Sequence, residues 1–188
     1  MGHTSAMTPP STEDLEAGLD EVRRSPCDGG TLELIVARPS LAERAVLDVG
    51  HLDEVEGLVG DNWRARGSRS HPEGLAHPDR QVTLMNARAA DLVAGTRDRW
   101  GLAGDQLYVD LDLSTENLPP CTRLAIGDAI LEVTAAPHRG CAKFTNRFGE
   151  WATRFVNSPD GSALRLRGIN AKVVQSGRIT RGDAIHKG

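Results

Sequence analysis

The sequence predicts a mainly β fold with α elements, of the α+β class: a curled, barrel-like sheet under a few covering helices. Candidate strands outnumber candidate helices along the chain. The longest of them, within residues 163–175, alternates in character and carries Gly168 near its middle, where a glycine marks a bend that lets a sheet curl on itself. Regular βαβ alternation is missing, as are a Gly-x-Gly-x-x-Gly turn and a Walker-type phosphate loop, so a nucleotide-binding parallel sheet is excluded.

In chain order, Ser11, Thr12, Glu13 and Asp14 open a helix whose acids lie in the first turn and whose Arg23 and Arg24 lie in the last, matching the helix dipole. Leu15, Leu19 and Val22 share one face, suited to packing on the body or on a second subunit of a homodimer. Pro26, Gly29 and Gly30 end this segment, so residues 1–30 read as a helix and linker and residues 31–188 as the main domain. Strands follow at residues 32–37 and 45–49. A glycine-bounded loop spans 57–63, and the basic cluster Arg64, Arg66, Arg69 and His71 after it reads as a solvated loop. Residues 80–85 form a strand, Asn86 caps a helix over 87–97, and strands occupy 106–109, 122–126 and 129–135. A helix over 145–156 spaces Phe148, Trp151, Ala152 and Phe155 as a core-facing stripe.

Composition narrows the function. The 188 residues suffice for one domain with a substantial core. A net charge of −4 argues against general nucleic-acid binding, which normally needs a basic excess. No run of about eighteen apolar residues is present to span a membrane, and the amino terminus lacks a secretory signal pattern. Three cysteines without paired spacing fit a reducing compartment, so a soluble cytoplasmic protein is expected. His138 and Cys141 are three apart, but no second close pair of ligands completes a structural zinc set.

The most informative segment is Pro137-His138-Arg139-Gly140-Cys141-Ala142-Lys143-Phe144. A thiol acts as nucleophile or metal ligand only as thiolate, a form favoured by neighbouring cations, and Arg139 and Lys143 flank Cys141 two residues away on either side. The preceding apolar run places Cys141 at a strand end. Cys27 lies beside an acid in the linker, and Cys121 reads as structural.

Four segments in order carry a resemblance: Arg38-Pro39-Ser40 after the first strand, Gly57-Leu58-Val59-Gly60-Asp61, Ser114-Thr115-Glu116-Asn117-Leu118 ahead of Gly127-Asp128, and the turn from His138 to Lys143. From about residue 31 to 185 the chain resembles the MOSC domain, named for the carboxy-terminal domain of molybdenum cofactor sulfurases. The resemblance implies a β-barrel-rich fold and puts Cys141 at the family's characteristic cysteine, which carries a persulfide or ligates molybdenum held by a pterin. It further implies that Asn117 and Arg139 line a cofactor pocket, that Arg38, Arg80 and Lys143 meet phosphate or pterin, and that Asp61 shapes the loop above. The chain departs from many stand-alone relatives at Asn62 and Trp63, where those carry a basic residue and a histidine.

Three functions follow as expectations. The first is a molybdenum-cofactor-dependent (molybdopterin) reductase component for N-hydroxylated compounds, with Cys141 as metal ligand and catalytic centre. The second is a sulfur carrier bearing a Cys141 persulfide, and the third is a non-enzymatic anion-binding domain. The sequence lacks the pyridoxal-phosphate desulfurase domain of the sulfurases, so a partner must supply sulfur or electrons.

Overall fold

A computed structural model describes residues 10–68, 71 and 73–188. Arg69 of the basic cluster and the amino-terminal residues before Pro10 lie outside the described residues.

Helix α1 (Thr12–Arg23) starts at a full capping box, in which Ser11 and Asp14 satisfy each other's backbone N–H groups. The strands β1 (Gly30–Ala37), β2 (Ala45–Leu47), β3 (Val49–Asp53) and β4 (Gly57–Leu58) follow, then the single-turn helix α2 (Trp63–Arg66). Strand β5 (Val82–Asn86) runs directly into α3 (Ala87–Ala94), with the Asn86 side chain accepting from Ala89 N at 3.0 Å as the sequence predicts. Helix α3 stops at Gly95 rather than Arg97, and the chain continues as a 3-10 segment over Arg97–Ala103 into β6 (Leu107–Asp110). A hairpin of β7 (Arg123–Ile126) and β8 (Ala129–Val133) precedes the helices α4 (Ala142–Phe148), α5 (Glu150–Val156) and α6 (Pro159–Ala163). The chain then forms β9 (Ile169–Gln175), β10 (Gly177–Thr180) and β11 (Ala184–Lys187).

Seven strands close into a ring in the order β1-β6-β5-β9-β8-β7-β11, with β11 returning to β1 through Gly30↔Ile185 and Thr31↔Ala184. Strand β2 extends the sheet from β1, and β10, β3 and β4 form a separate three-stranded sheet. Every pair in the ring is antiparallel except β5–β6, whose parallel pairing requires a crossover, supplied by α3 and the 3-10 segment. Strand β1 is buried on both faces. A register shift between Leu32 and Leu34 lets Leu32 and Ile35 join one apolar cluster while Leu34 and Val36 join another. The first cluster is the barrel interior, with Leu84, Leu107, Leu124, Leu131 and Ile185. The second lies beneath the helices, where Val22, Val93, Trp100, Tyr108, Phe144 and Phe148 pack.

Three further sequence expectations are corrected. The helix over 145–156 divides at Gly149 into α4 and α5, and α4 begins three residues earlier, at Ala142. The strand over 163–175 begins only at Ile169: residues 164–168 form a turn ending at Gly168, whose φ of 105° excludes ordinary side chains and where a Cβ would stand 2.2 Å from Leu84 O. Burial does not follow the alternation there: residues 166–171 are all buried, and only over 171–174 does burial alternate along the strand. Cys141, finally, sits at the amino-terminal boundary of α4 and not at the end of β8.

Candidate functional site

A cavity of about 530 Å³ opens between the segment after β1, α2, the 3-10 turn Pro78–Arg80, the start of α4 and the outer side of β9. Arg38, Arg80, Arg139, Cys141 and Lys143, all proposed from sequence, line it together. Arg44, Asn62, Arg66, His138, Arg147 and Arg167 line it as well and escaped the sequence reading as ligand contacts.

Arg38 is almost fully buried and is aimed by Asp61. The Asp61 carboxylate accepts from Arg38 Nε at 2.7 Å, Arg38 Nη2 at 2.9 Å, Arg38 N at 2.9 Å and Trp63 N at 2.9 Å. Fully buried, with its acceptor sites taken, it has no capacity left for a ligand, so its part is to fix the arginine. Arg38 Nη1 also donates to Gly104 O at 2.7 Å.

The second buried pair is less complete. Arg167 Nη1 donates to Asp105 Oδ2 at 2.6 Å and Nη2 to Ala103 O at 2.9 Å, while the guanidinium lies 5.0 Å over the Phe144 ring. Asp105 Oδ1 faces His138 Nδ1 at 3.6 Å, too long for a hydrogen bond, and neither atom has another partner. Burial first, and Arg167 second, push the His138 pKa down to about 3, so His138 is neutral and adds no positive charge beside the thiol.

The thiol segment is held rigidly. Gly140 N donates to Asn157 Oδ1 at 3.1 Å and Asn157 Nδ2 returns to Gly140 O at 3.3 Å. Thr145 N then donates to Cys141 O at 2.9 Å, the first bond of α4. Asn170 Nδ2 donates to Ala136 O at 3.0 Å and ties the incoming chain to β9. Cys141 itself is exposed.

Arg80 Nε, Asn62 Oδ1, His138 Nδ1 and Arg167 Nε are buried atoms of cavity-lining residues that have no hydrogen-bond partner among the described residues. Such atoms are costly unless a ligand or water meets them. Among the described residues no three His, Cys, Asp or Glu side chains gather as a metal cage.

The structure does not bring Asn117 to this cavity. Its Nδ2 donates to Asp112 O at 2.7 Å and Cys27 O at 3.0 Å, and its Oδ1 accepts from Lys187 Nζ at 2.7 Å. This amide staples the linker to β11. Arg66, read in sequence as part of a solvated loop, lines the cavity, whereas Arg64 pairs with Glu56 in solvent and His71 Nδ1 accepts from Glu73 N. Cys121 is exposed with a φ of 74°, a turn residue and not a packing group.

The family model for the MOSC domain matches residues 71–186, from the loop before Arg80 through β11. The chain belongs to the MOSC domain family. That family is associated with the molybdenum cofactor. Among solved structures, the YuaD protein from Bacillus subtilis is 16% identical, with a TM-score of 0.59 over 84% of this chain and 94% of that one. YiiM from Escherichia coli is 17% identical, with a TM-score of 0.55 over 84% of this chain and 69% of that one. At such identities the likeness is one of fold, and it agrees with the barrel and its covering helices. No curated protein matches the sequence. No helix among the described residues is long and apolar enough to cross a membrane.

Proposed function

We propose that this MOSC domain binds the molybdenum cofactor in the cavity beneath Cys141 and serves as a reductase component for N-hydroxylated compounds. The observation carrying the reading is the convergence of Cys141 with an arginine-rich cavity of about 530 Å³. The residues fit the group. A pterin offers both donors and acceptors, and the unpartnered Asn62 Oδ1 and Arg80 Nε supply complements. A phosphate needs guanidinium or ammonium donors, which Arg38, Arg80, Arg139 and Lys143 provide. A metal that arrives with its own organic ligand needs one soft protein donor rather than a cage, and the Cys141 thiol is that donor.

When bound, the cofactor supplies a metal able to change oxidation state. Asp61 holds Arg38 at a fixed angle toward the cavity, and the Asn157 clamp fixes Cys141 on its rim. Protein purified from a host that makes the cofactor is expected to contain molybdenum and pterin near equimolar amounts, with Cys141→Ser losing metal before pterin. Absence of both at good expression overturns the reading.

The exposure of Cys141 favours a second reading, a persulfide handed to a partner. Mass spectrometry after incubation with a cysteine desulfurase would then show a sulfur adduct absent from Cys141→Ala. In a purely anion-binding domain, Cys141→Ser leaves anion affinity unchanged.

A further inference from the structure

Two of the cavity's cations stand apart from the thiol. A neighbouring hollow shares Leu41, Arg66, Arg80, Cys141 and Lys143 with the main cavity, but Arg44 and Arg147 line only the main one, where Gly104 forms part of the wall. Their guanidiniums converge there. A Cβ placed on Gly104 would stand 3.5 Å from Arg147 Nη1 and 3.9 Å from Arg44 Nη2. Gly104 has a φ of 93°, so the turn calls for a glycine, and a Cβ there would reach the two guanidiniums at ordinary contact distance.

Each arginine is anchored by backbone carbonyls instead of carboxylates. Arg44 Nε donates to Gly101 O at 3.0 Å and Nη1 to Glu43 O at 2.6 Å, and Arg147 Nη1 donates to Leu102 O at 2.6 Å. Among the described residues neither forms an ion pair, in contrast to Arg38 and Arg167, which each hold a buried aspartate. Arg99 Nη2 lies behind, 3.5 Å from Arg147 O, and adds a third positive charge. Burial, then Arg147 and Arg38, pull the Arg44 pKa below its ordinary value. Two half-buried like charges kept together without a counter-ion are stabilised by an anion placed between them, and the guanidinium fork suits a planar or tetrahedral oxyanion.

We propose that Arg44 and Arg147 form an oxyanion subsite at the Gly104 wall that takes a phosphate or carboxylate group. The subsite stands on its own geometry. Only the assignment of its occupant, the cofactor's phosphate or an acidic group of the small-molecule substrate, rests on the molybdenum reading.

Calorimetric titration with inorganic phosphate, and with benzoate against neutral benzamide, tests it on protein made in hosts with and without cofactor synthesis. Cofactor-free protein is expected to bind both anions and not benzamide, with affinity falling at least about tenfold in Arg44→Met and in Arg147→Met. Arg44→Lys and Arg147→Lys keep the charge without the fork and should fall between, which guards against a variant that fails to fold. If the loaded protein still binds the anions, the subsite serves the substrate. If loading blocks them and the Met variants lose pterin, it seats the cofactor's phosphate. Wild-type protein that binds neither anion, or Met variants that bind them unchanged, overturn the subsite whatever the molybdenum content. Absence of molybdenum and pterin from arginine-dependent binders overturns only the earlier reading.

Discussion

The corner around Asn117 and the cavity around Cys141 were both marked by the same resemblance, yet they are opposite in character. At Asn117 the polar capacity is spent: two carbonyls and Lys187 occupy the amide. At the cavity it is unspent, since among the described residues Arg80 Nε, Asn62 Oδ1, His138 Nδ1 and Arg167 Nε lack hydrogen-bond partners and Arg44 and Arg147 lack counter-ions. Folding does not leave buried hydrogen-bonding groups idle without cost, so the idle groups gathered at this hollow are what supports proposing it as a binding site.

The contrast is broken or sharpened first at Asp61, which belongs to the cavity's foundation and is fully satisfied. Asp61→Ala strands the buried Arg38 charge and should lower stability by about 3–5 kcal/mol in denaturant unfolding. A loss under about 1 kcal/mol would mean that Arg38 finds water or another partner, and that its pairing is not what orders the wall.

His138 comes next. With its folded pKa depressed to about 3 and an unfolded value near 6.5, the unfolded chain takes up a proton that the fold refuses. Stability therefore falls as pH drops from about 6.5 toward 3 and is unaffected above that window, by roughly 2–3 kcal/mol at pH 4.5. His138→Gln removes this share of the acid sensitivity in melting curves. Identical slopes in both proteins would show that the imidazole is open to solvent.

The smallest effects make the sharpest pair. Asn117→Ala should cost about 1–2 kcal/mol of stability while leaving pterin content and phosphate affinity intact. Arg80→Met should leave the melting temperature within about 2 °C and instead reduce pterin retention. The reverse pattern would exchange the roles of the two regions.

The fold was largely legible because alternation follows burial in β8, in the first half of β1 and in the later part of the 163–175 segment. What periodicity could not show was where a pattern breaks. Gly149 divides a helical stripe that remains apolar on both sides, and Gly168 interrupts alternation that continues past it. For the candidate site, local charge around Cys141 pointed to the wall of the cavity because Arg139 and Lys143 are neighbours in sequence. Arg44, Arg147 and Arg167 were invisible for the opposite reason: each comes from a different element, and nothing local separates them from surface arginines. Asn117 falls outside this cavity, and the sequence could not show it because a turn amide committed to backbone carbonyls and one aimed at a ligand have the same sequence signature.

Closure of the ring by β11 has a consequence for how the protein is made. Until Ala184–Lys187 has been synthesised, β1 and β7 each lack the partner that completes the wall. From the synthesis of β7 until that of β11 the nascent chain therefore carries two open β edges, the state in which β proteins most readily join one another. Protection of those edges during synthesis is therefore a requirement distinct from the stability of the finished barrel.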